Sequence, residues 1–364
     1  MDVKSMVENA LSGVFLSKNW ARNPVLVTLD LTHKCNLRCS FCYYHGEERP
    51  FPNLSETNGA TIPAEFLIKN LVERVTTKEY YITGGEPFLY PELEILLRFL
   101  KKKQKRVILS TNGTLLDEDW INKIIEENLI HVLQISLHGP EDLHNEITGV
   151  NGAFKKTIKN VSALRELKDR SRSSSPTIEI HCVINKKNIR SLSEIAGQAA
   201  KCGADSLIFG NLVYTLPEIL ESHRSFSRAH GLMEDFSISR LAMGSVGHDI
   251  SAADIEYCLE GLKKIELKNQ FPFQVCRWPA YNDEELVKHY FDSKWVYRRS
   301  CNYPWKILRV HPSGNIIPCL GVKMGNVVEQ GADRIWNGKR FRSFRRILYR
   351  NGLFPACFRC CKLV

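Results

Sequence analysis

Leu31-Thr-His-Lys-Cys-Asn-Leu-Arg-Cys-Ser-Phe-Cys-Tyr-Tyr44 carries a C-x3-C-x2-C pattern at Cys35, Cys39 and Cys42. Thiolates at this spacing can hold three corners of an iron–sulfur cube. The remaining iron then has no protein ligand and is open to a small molecule. The run follows an apolar, β-branched stretch, Val25-Leu-Val-Thr-Leu-Asp30. A strand is expected there, with the cysteines on the loop at its C-terminal end, where α/β barrels place their active sites. Zinc is the competing reading, with His33 or His45 as a fourth ligand, although structural zinc sites are often built from paired C-x2-C units.

Outward from this run the chain alternates. Strand-like segments are expected at 25–31, 79–83, 106–110, 131–137, 177–184 and 206–213, and helix-period segments near 63–75, 91–103, 117–128, 153–168 and 191–202. Such alternation implies βαβ units around a parallel sheet. Six units are too few for a closed eightfold barrel, so the expected fold class is α/β: an open, partial (β/α)6 barrel with a small C-terminal module. The expected boundaries are 1–24, a helical extension; 25–215, the barrel; 216–300, a region that completes or caps it, with a helix from Ile255 to Leu267; and 301–364, a cysteine-bearing module.

Composition narrows the class. The chain has 364 residues, 43% of them hydrophobic and 25% charged, enough for a large core. It has no apolar run long enough to span a bilayer, which takes about 18–20 residues, and its start does not read as a signal peptide. Twelve cysteines without a secretion signal point to metal or catalytic roles in a reducing, cytoplasmic compartment. The net charge of +10 gathers at Lys101–Arg106 and Lys339–Arg346, without an aromatic–basic pattern that would make nucleic acid an expected partner.

Further motifs sit at strand ends. Thr83-Gly-Gly-Glu-Pro87 ends the second strand. Its glycines let the backbone approach a ligand, and its carboxylate can hold an ammonium group. Ser110-Thr-Asn-Gly113 ends the third. On the fourth, Gln134, Ser136 and His138 share one face, as do Glu179 and His181 on the fifth. Barrel strands normally read as continuous apolar runs, so these polar positions imply a hydrated, functional interior.

In this order, the cysteine triad, Gly84-Gly85-Glu86-Pro87, Ser110-Thr-Asn-Gly113 and Ile135-Ser-Leu-His-Gly139 resemble the radical S-adenosylmethionine (radical SAM) superfamily over residues 25–215. The resemblance implies a [4Fe–4S] cluster on Cys35, Cys39 and Cys42. S-adenosylmethionine would chelate its open iron, and a 5′-deoxyadenosyl radical would abstract a hydrogen atom from substrate. It implies that Phe41 lies near adenine and that Gly84, Gly85 and Glu86 meet the methionyl amine. Ser136 and Asn112 become candidates for the carboxylate or ribose. An electron donor such as a flavodoxin or ferredoxin is implied as a partner. His138, Glu179 and His181 are candidate acid–base groups because strand alternation points them inward.

The C-terminal region resembles the SPASM or twitch modules of radical SAM enzymes. Cys301, the turn Gly314-Asn-Ile-Ile-Pro-Cys319, and Cys357-Phe-Arg-Cys360 carry the likeness, with Cys361 adjoining. There are too few thiols for two further cubes, which implies one auxiliary [4Fe–4S] cluster on Cys301, Cys319, Cys357 and Cys360. Zinc is again the competing reading. Four thiolates leave no open iron, so electron acceptance or stapling are the roles left. The cations of 339–346 either stabilise that anionic cluster or form a solvated helix face.

The set is similar to twitch modules of dehydrogenases that oxidise aminocyclitol alcohols. Oxidation of a small polyol or aminocyclitol is therefore the first expectation. A peptide or protein maturase is the alternative, lowered because only about 24 residues precede the first strand, too few for a leader-binding domain. A radical epimerase, with Cys276 or Cys361 as hydrogen-atom donor, and a non-catalytic zinc or cluster module are the others. Cys182, Cys202, Cys258 and, as its default, Cys276 read as buried apolar thiols.

Overall fold

A computed structural model describes residues 19–42, 44, 61–213, 216–232, 250–267, 271–292, 294–319 and 321–360. His45, Cys361 and most of the expected N-terminal helix lie outside the described residues.

The six expected strands form where the pattern placed them: β1 (Leu26–Asp30), β2 (Glu79–Thr83), β3 (Arg106–Thr111), β4 (Val132–Ser136), β5 (Thr177–Ile184) and β6 (Ser206–Asn211). Between them run α1 (Ala64–Leu67, continued by a wider turn over Ile68–Val72), α2 (Leu93–Lys102), α3 (Glu118–Glu126), α4 (Glu141–Thr148), α5 (Ala153–Arg170) and α6 (Leu192–Lys201). The helices follow from their apolar spacing. Leu93, Leu96, Leu97 and Leu100 of α2 are buried, as are Leu192, Ile195, Ala196 and Ala199 of α6, each set forming one stripe. A fully buried leucine contributes about 1.5–3 kcal/mol. Asp117 caps α3 by accepting from the Trp120 amide, and Gly149, at φ 67°, closes α4 in a left-handed turn.

The sheet is larger than six units. After α7 (Pro217–Ala229) and α8 (Ala252–Leu267), β7 (Gln274–Trp278) pairs in parallel with β6. After α9 (Asp283–Phe291) and α10 (Tyr303–Lys306), β8 (Ile307–Val310) pairs in parallel with β1. Short antiparallel strands β9 (Asn315–Ile316) and β10 (Gly325–Asn326) follow, then α11 (Ala332–Trp336) and α12 (Lys339–Asn351). The spatial order is β10-β9-β8-β1-β2-β3-β4-β5-β6-β7, so the sheet is open, and β1 lies inside it.

Alternation divides the faces. Val27, Leu29, Ile82, Leu109, Leu133 and Ile180 pack into the core with the helices. The opposite face carries Thr28 and Asp30 on β1, Gln134 and Ser136 on β4, and Glu179 and His181 on β5. Register aligns Gln134 with Glu179 and Ser206, and Ser136 with His181 and Ile208. The basic run 101–106 is a wet, paired helix end: Lys103 meets Glu73, and Arg106 meets Glu79 at 2.7 Å.

Candidate active site

The cysteine loop leaves β1 at Asp30 and is stapled on two sides. Toward β2, the Leu31 amide donates to Thr83 O at 2.9 Å, Gly85 to Thr32 O at 2.6 Å and Glu86 to Lys34 O at 2.8 Å. Toward α4, the Arg38 amide donates to Thr148 O at 2.8 Å and Ser40 to Ile147 O at 2.9 Å. The glycines are required by these contacts. A Cβ on Gly85 would lie 2.2 Å from Lys34 O, and one on Gly84, where φ is 139°, 2.6 Å from Thr32 O. What Gly84 and Gly85 approach here is the backbone of the cysteine loop itself.

Asn112, expected near the cofactor, is a latch on the same loop. Its Nδ2 donates to Asn36 Oδ1 at 2.9 Å, and its Oδ1 accepts from the Thr114 amide and hydroxyl at 2.8 and 2.6 Å. Asn36 Nδ2 in turn donates to Thr114 Oγ1 at 2.7 Å.

Cys35, Cys39 and Cys42 are half-buried reduced thiols. Burial pushes Cys35 up to about 11, with Glu86 and Cys42 adding to it. Cys39 is raised as well, by burial and then by the charges of Cys42 and Cys35. The three sulfurs are thus close enough to feel one another, in surroundings where a thiolate is costly until a cation offsets it, which fits iron ligation. Among the described residues no three His, Cys, Asp or Glu side chains converge on one metal ion.

The cofactor candidates line the C-terminal ends of β2 to β5. Glu86 is fully buried, and its carboxylate accepts from Thr111 Oγ1 at 2.7 Å, the Asn112 amide at 2.9 Å and the Phe88 amide at 3.2 Å. Burial pushes it up to about 7 against those hydrogen bonds. A carboxylate has about four lone-pair positions, so room for one more donor, such as a methionyl ammonium, remains. Phe41 meets His138 edge-on, ring centroids 4.9 Å apart. Ser136 is half-exposed at the open end of β4.

The expected acid–base groups divide. His138 is 4% exposed, accepts from the Val183 amide on Nδ1 at 3.4 Å, and is held well below its ordinary value by burial, then by His144 and His181. With Nδ1 accepting, the neutral ring carries its proton on Nε2. Glu179 is buried and accepts from Gln134 Nε2 at 2.9 Å. His181 keeps partial exposure, and burial lowers it to about 4. Gly210 leaves space for it, since a Cβ there would come within 3.3 Å of His181 Nε2.

Sequence reasoning missed a polar cluster between β1 and β8. Asp30 Oδ2 accepts from Arg309 Nε at 2.9 Å and Tyr44 Oη at 3.2 Å, with Arg309 Nη2 at 2.7 Å and His311 Nε2 at 3.8 Å. The signal was present in the alternation of β1, which turns Asp30 away from Val27 and Leu29. Its partner Arg309 lies 279 residues away.

In the C-terminal module Cys301, Cys319 and Cys360 are half-buried and Cys357 is buried. Cys357 is pushed up to about 12 by burial and then by the charge of Cys301, so these two thiols are neighbours. The Cys360 amide donates to Cys357 O at 3.2 Å. Between them Arg359, at φ 55°, buries its guanidinium and donates to the carbonyls of His289 and Tyr290 at the end of α9. Thiolates are the donor chemistry that an iron–sulfur cluster takes. Within 339–346 most cations are solvated, and Arg345 is the one that is buried. It lies over Trp336 and Phe341 and donates to Pro304 O at 2.8 Å, which makes it a packing knot of the module.

The family model for the radical SAM superfamily matches residues 29–197, and that for the SPASM iron–sulfur cluster-binding domain matches 301–361. Along most of its length the chain is 23% identical to the tungsten-containing aldehyde ferredoxin oxidoreductase cofactor-modifying protein of Pyrococcus furiosus, covering 91% of this chain and 86% of that one. Among solved structures it resembles Streptococcus suis SuiB bound to precursor peptide SuiA, with a TM-score of 0.62, 14% identity, and coverage of 93% of this chain and 76% of that one. It also resembles anSMEcpe with bound AdoMet, with a TM-score of 0.59, 19% identity, and coverage of 88% and 82%. The chain belongs to the radical SAM superfamily and carries a SPASM-type module at its C-terminal end. It is an enzyme of that class, built on a SAM-binding [4Fe–4S] cluster, S-adenosylmethionine and auxiliary iron–sulfur chemistry. Among the described residues no helix is long and apolar enough to cross a membrane.

Proposed function

We propose that this chain oxidises a peptide substrate by two electrons, with the C-terminal module as the first electron acceptor. Cys35, Cys39 and Cys42 would hold the SAM-binding cluster, and Cys301, Cys319, Cys357 and Cys360 the auxiliary one. The observation that carries the reading is the parallel pairing of Leu26–Leu29 with Ile307–Val310. It ties the strand that feeds the first cysteine loop to the strand that begins six residues after Cys301. Bound there, these groups would supply hydrogen-atom abstraction from substrate and an acceptor for the electron left behind after a proton departs.

The chain's own residues do the rest. Glu86 and Ser136 orient the cofactor, Phe41 backed by His138 walls the adenine side, and His181 or Glu179 takes the substrate proton. Enclosure by the sheet keeps water from a reactive carbon radical. A flavodoxin or ferredoxin supplies the reducing electron.

The substrate class rests on β7. It pairs on one side, with β6, among the described residues, and a cavity of about 640 Å³ opens beside it, lined by Gln274–Arg277 and Tyr281–Glu284. An unpaired strand edge next to an open cleft suits an extended peptide. SuiB, of similar fold, holds a precursor peptide. A small polyol or aminocyclitol finds no counterpart in the names of the relatives given above.

Protein reconstituted anaerobically should hold about eight irons. With dithionite, S-adenosylmethionine and any short peptide encoded beside its gene, it should form 5′-deoxyadenosine and a peptide lighter by two hydrogens. Peptides of unchanged mass alongside an oxidised polyol would overturn the substrate class.

One observation favours a second reading. Cys276 is buried on the interior face, in the cross-strand row His181–Ile208–Cys276. A thiol there can return a hydrogen atom, which makes an epimerase. Turnover in heavy water would then add one deuterium to the peptide, and Cys276→Ala would stop that incorporation.

A further inference from the structure

Helix α12 has two unlike faces. Phe341, Phe344, Arg345 and Leu348 are its buried residues. At about 3.6 residues per turn they share one side, and Lys339, Arg346 and Arg350 fall on the opposite ridge, all three exposed. Arg340 and Arg342 stand on the flanks. The ridge runs about 16 Å along the helix. Two exposed aromatics border it on the Arg342 flank. Tyr349, seven residues further on, shares that side, and the Trp20 ring lies 5.4 Å from the Arg342 guanidinium.

No local interaction accounts for this pattern. The first turn holds Lys339, Arg340 and Arg342 and no acidic residue, against the helix dipole. Arg342, Arg346 and Arg350 stand four apart, where like charges repel. Other helices pair exposed cations with acids, as Arg98 with Glu94, Lys155 with Glu141 and Lys288 with Glu284. Among the described residues the five exposed-side cations of α12 form no such pair. A local rule broken without a compensating contact marks a functional surface.

The inner face of α12 sits against the segments that carry the module's thiols. Phe344 meets Phe354 edge-on, ring centroids 5.4 Å apart, and Phe354 O accepts from the Cys357 amide at 2.9 Å. Arg345 donates to Pro304 O, three residues after Cys301, and Cys301 and Cys357 are neighbours. The cationic ridge is therefore about one helix diameter (10–12 Å) from those segments.

We propose that the outer face of α12 docks an acidic one-electron carrier protein, of the ferredoxin or flavodoxin class, which takes up the electron that substrate oxidation leaves in the module. This deepens the reading above and rests on it for the electron's arrival there. The substrate loses a hydrogen atom, then a proton, which passes to His181 or Glu179, and one electron. That electron has to leave the module before the next turnover, and the oxidised carrier is reduced by it with no bond made or broken. Charge complementarity selects the partner: unpaired cations attract an acidic surface and speed its arrival. A ridge one helix wide suits the small, transient contacts of electron transfer, and Arg, Trp and Tyr are the side chains that anchor contacts. A membrane would need an apolar face, and that of α12 is already buried.

Binding is measured by calorimetry on the reconstituted holoenzyme, with an acidic plant-type ferredoxin and a flavodoxin as probes. At least one should bind, more weakly as salt rises. Arg346→Glu with Arg350→Glu should weaken binding about tenfold. Arg346→Lys with Arg350→Lys should bind as the parent does. So should Lys156→Glu with Lys159→Glu, which reverses two exposed charges on α5. Reversal on the ridge relieves repulsion, so that variant should keep its melting temperature and about eight irons. Electron passage is read separately, by stopped-flow absorbance, on mixing reduced holoenzyme freed of dithionite with the oxidised carrier that binds. Reduction of the carrier should slow about tenfold or more in the charge-reversed variant and in Cys357→Ser, whose carrier affinity should match the parent's.

No binding of either carrier by the parent, or binding that charge reversal leaves unchanged, overturns the docking surface. Tighter binding of a short single-stranded RNA, or of phosphatidylserine vesicles, through the same two arginines also overturns it. Docking that needs Arg346 and Arg350, with carrier reduction that Cys357→Ser leaves unchanged, keeps the surface and overturns the module as electron acceptor.

Discussion

Gly85 shows how much of this site is backbone against backbone. Its α-carbon lies under the carbonyls of His33 and Lys34, where a methyl group would overlap both. Gly85→Ala should therefore displace the cysteine loop, costing about 1–3 kcal/mol in thermal unfolding. It should also release roughly half of about eight irons. Asn112→Ala should act on the same loop by freeing Asn36 and leaving Thr114 without its acceptor. A loss of about 1–3 kcal/mol is expected, with faster removal of iron by a chelator. Both residues were legible as important in the sequence, because they stand in short motifs at strand ends. Their first task here was not legible. Whether a strand-end glycine faces a ligand or a neighbouring loop depends on which loop packs against it.

At the scale of elements, the strands and helices of the barrel followed from periodicity. The apolar positions of α2, α3 and α6 repeat at helical spacing, and those of β1 to β6 alternate. α4 escaped because Glu141–Thr148 is short and polar, with only His144, Ile147 and Thr148 buried. Its value lies in its last turn, whose carbonyls hold Arg38 and Ser40. The final C-x2-C loop shows similar dependence on a distant element, since Arg359 pins it to the end of α9. Arg359→Leu leaves the carbonyls of His289 and Tyr290 without those donors and unlocks the loop. The auxiliary iron should then be lost first, from about eight irons to about four. Cleavage of S-adenosylmethionine, followed as 5′-deoxyadenosine, should survive. Loss of the first cluster's spectroscopic signature instead would count against this division.

The whole molecule holds several histidines in neutral form. Burial lowers His144, His181, His223 and His311 to about 4 and His289, aided by Arg359, to about 3. Between pH 6.5 and 4 the unfolded chain binds protons at these positions and the native chain does not. Native stability should therefore be full above about pH 6.5 and fall as pH drops toward 4. His144 is buried, and its Nδ1 accepts from the His138 amide at 3.1 Å. It should account for on the order of 3 kcal/mol of that fall. Denaturant unfolding across this range should show the slope, and His144→Gln should reduce it by about one proton. A flat profile would mean that these rings are charged in the folded chain.

What the sequence determined by itself was local and periodic: the cysteine spacing, the polar rows on β4 and β5, and the βα alternation that makes a parallel sheet. These are properties of neighbouring residues, fixed by the repeat of strand and helix. Tertiary structure alone decided that β8 returns to lie against β1 and that Arg309 and His311 close over Asp30. Such pairings join segments hundreds of residues apart, and they are chosen by how the whole core packs.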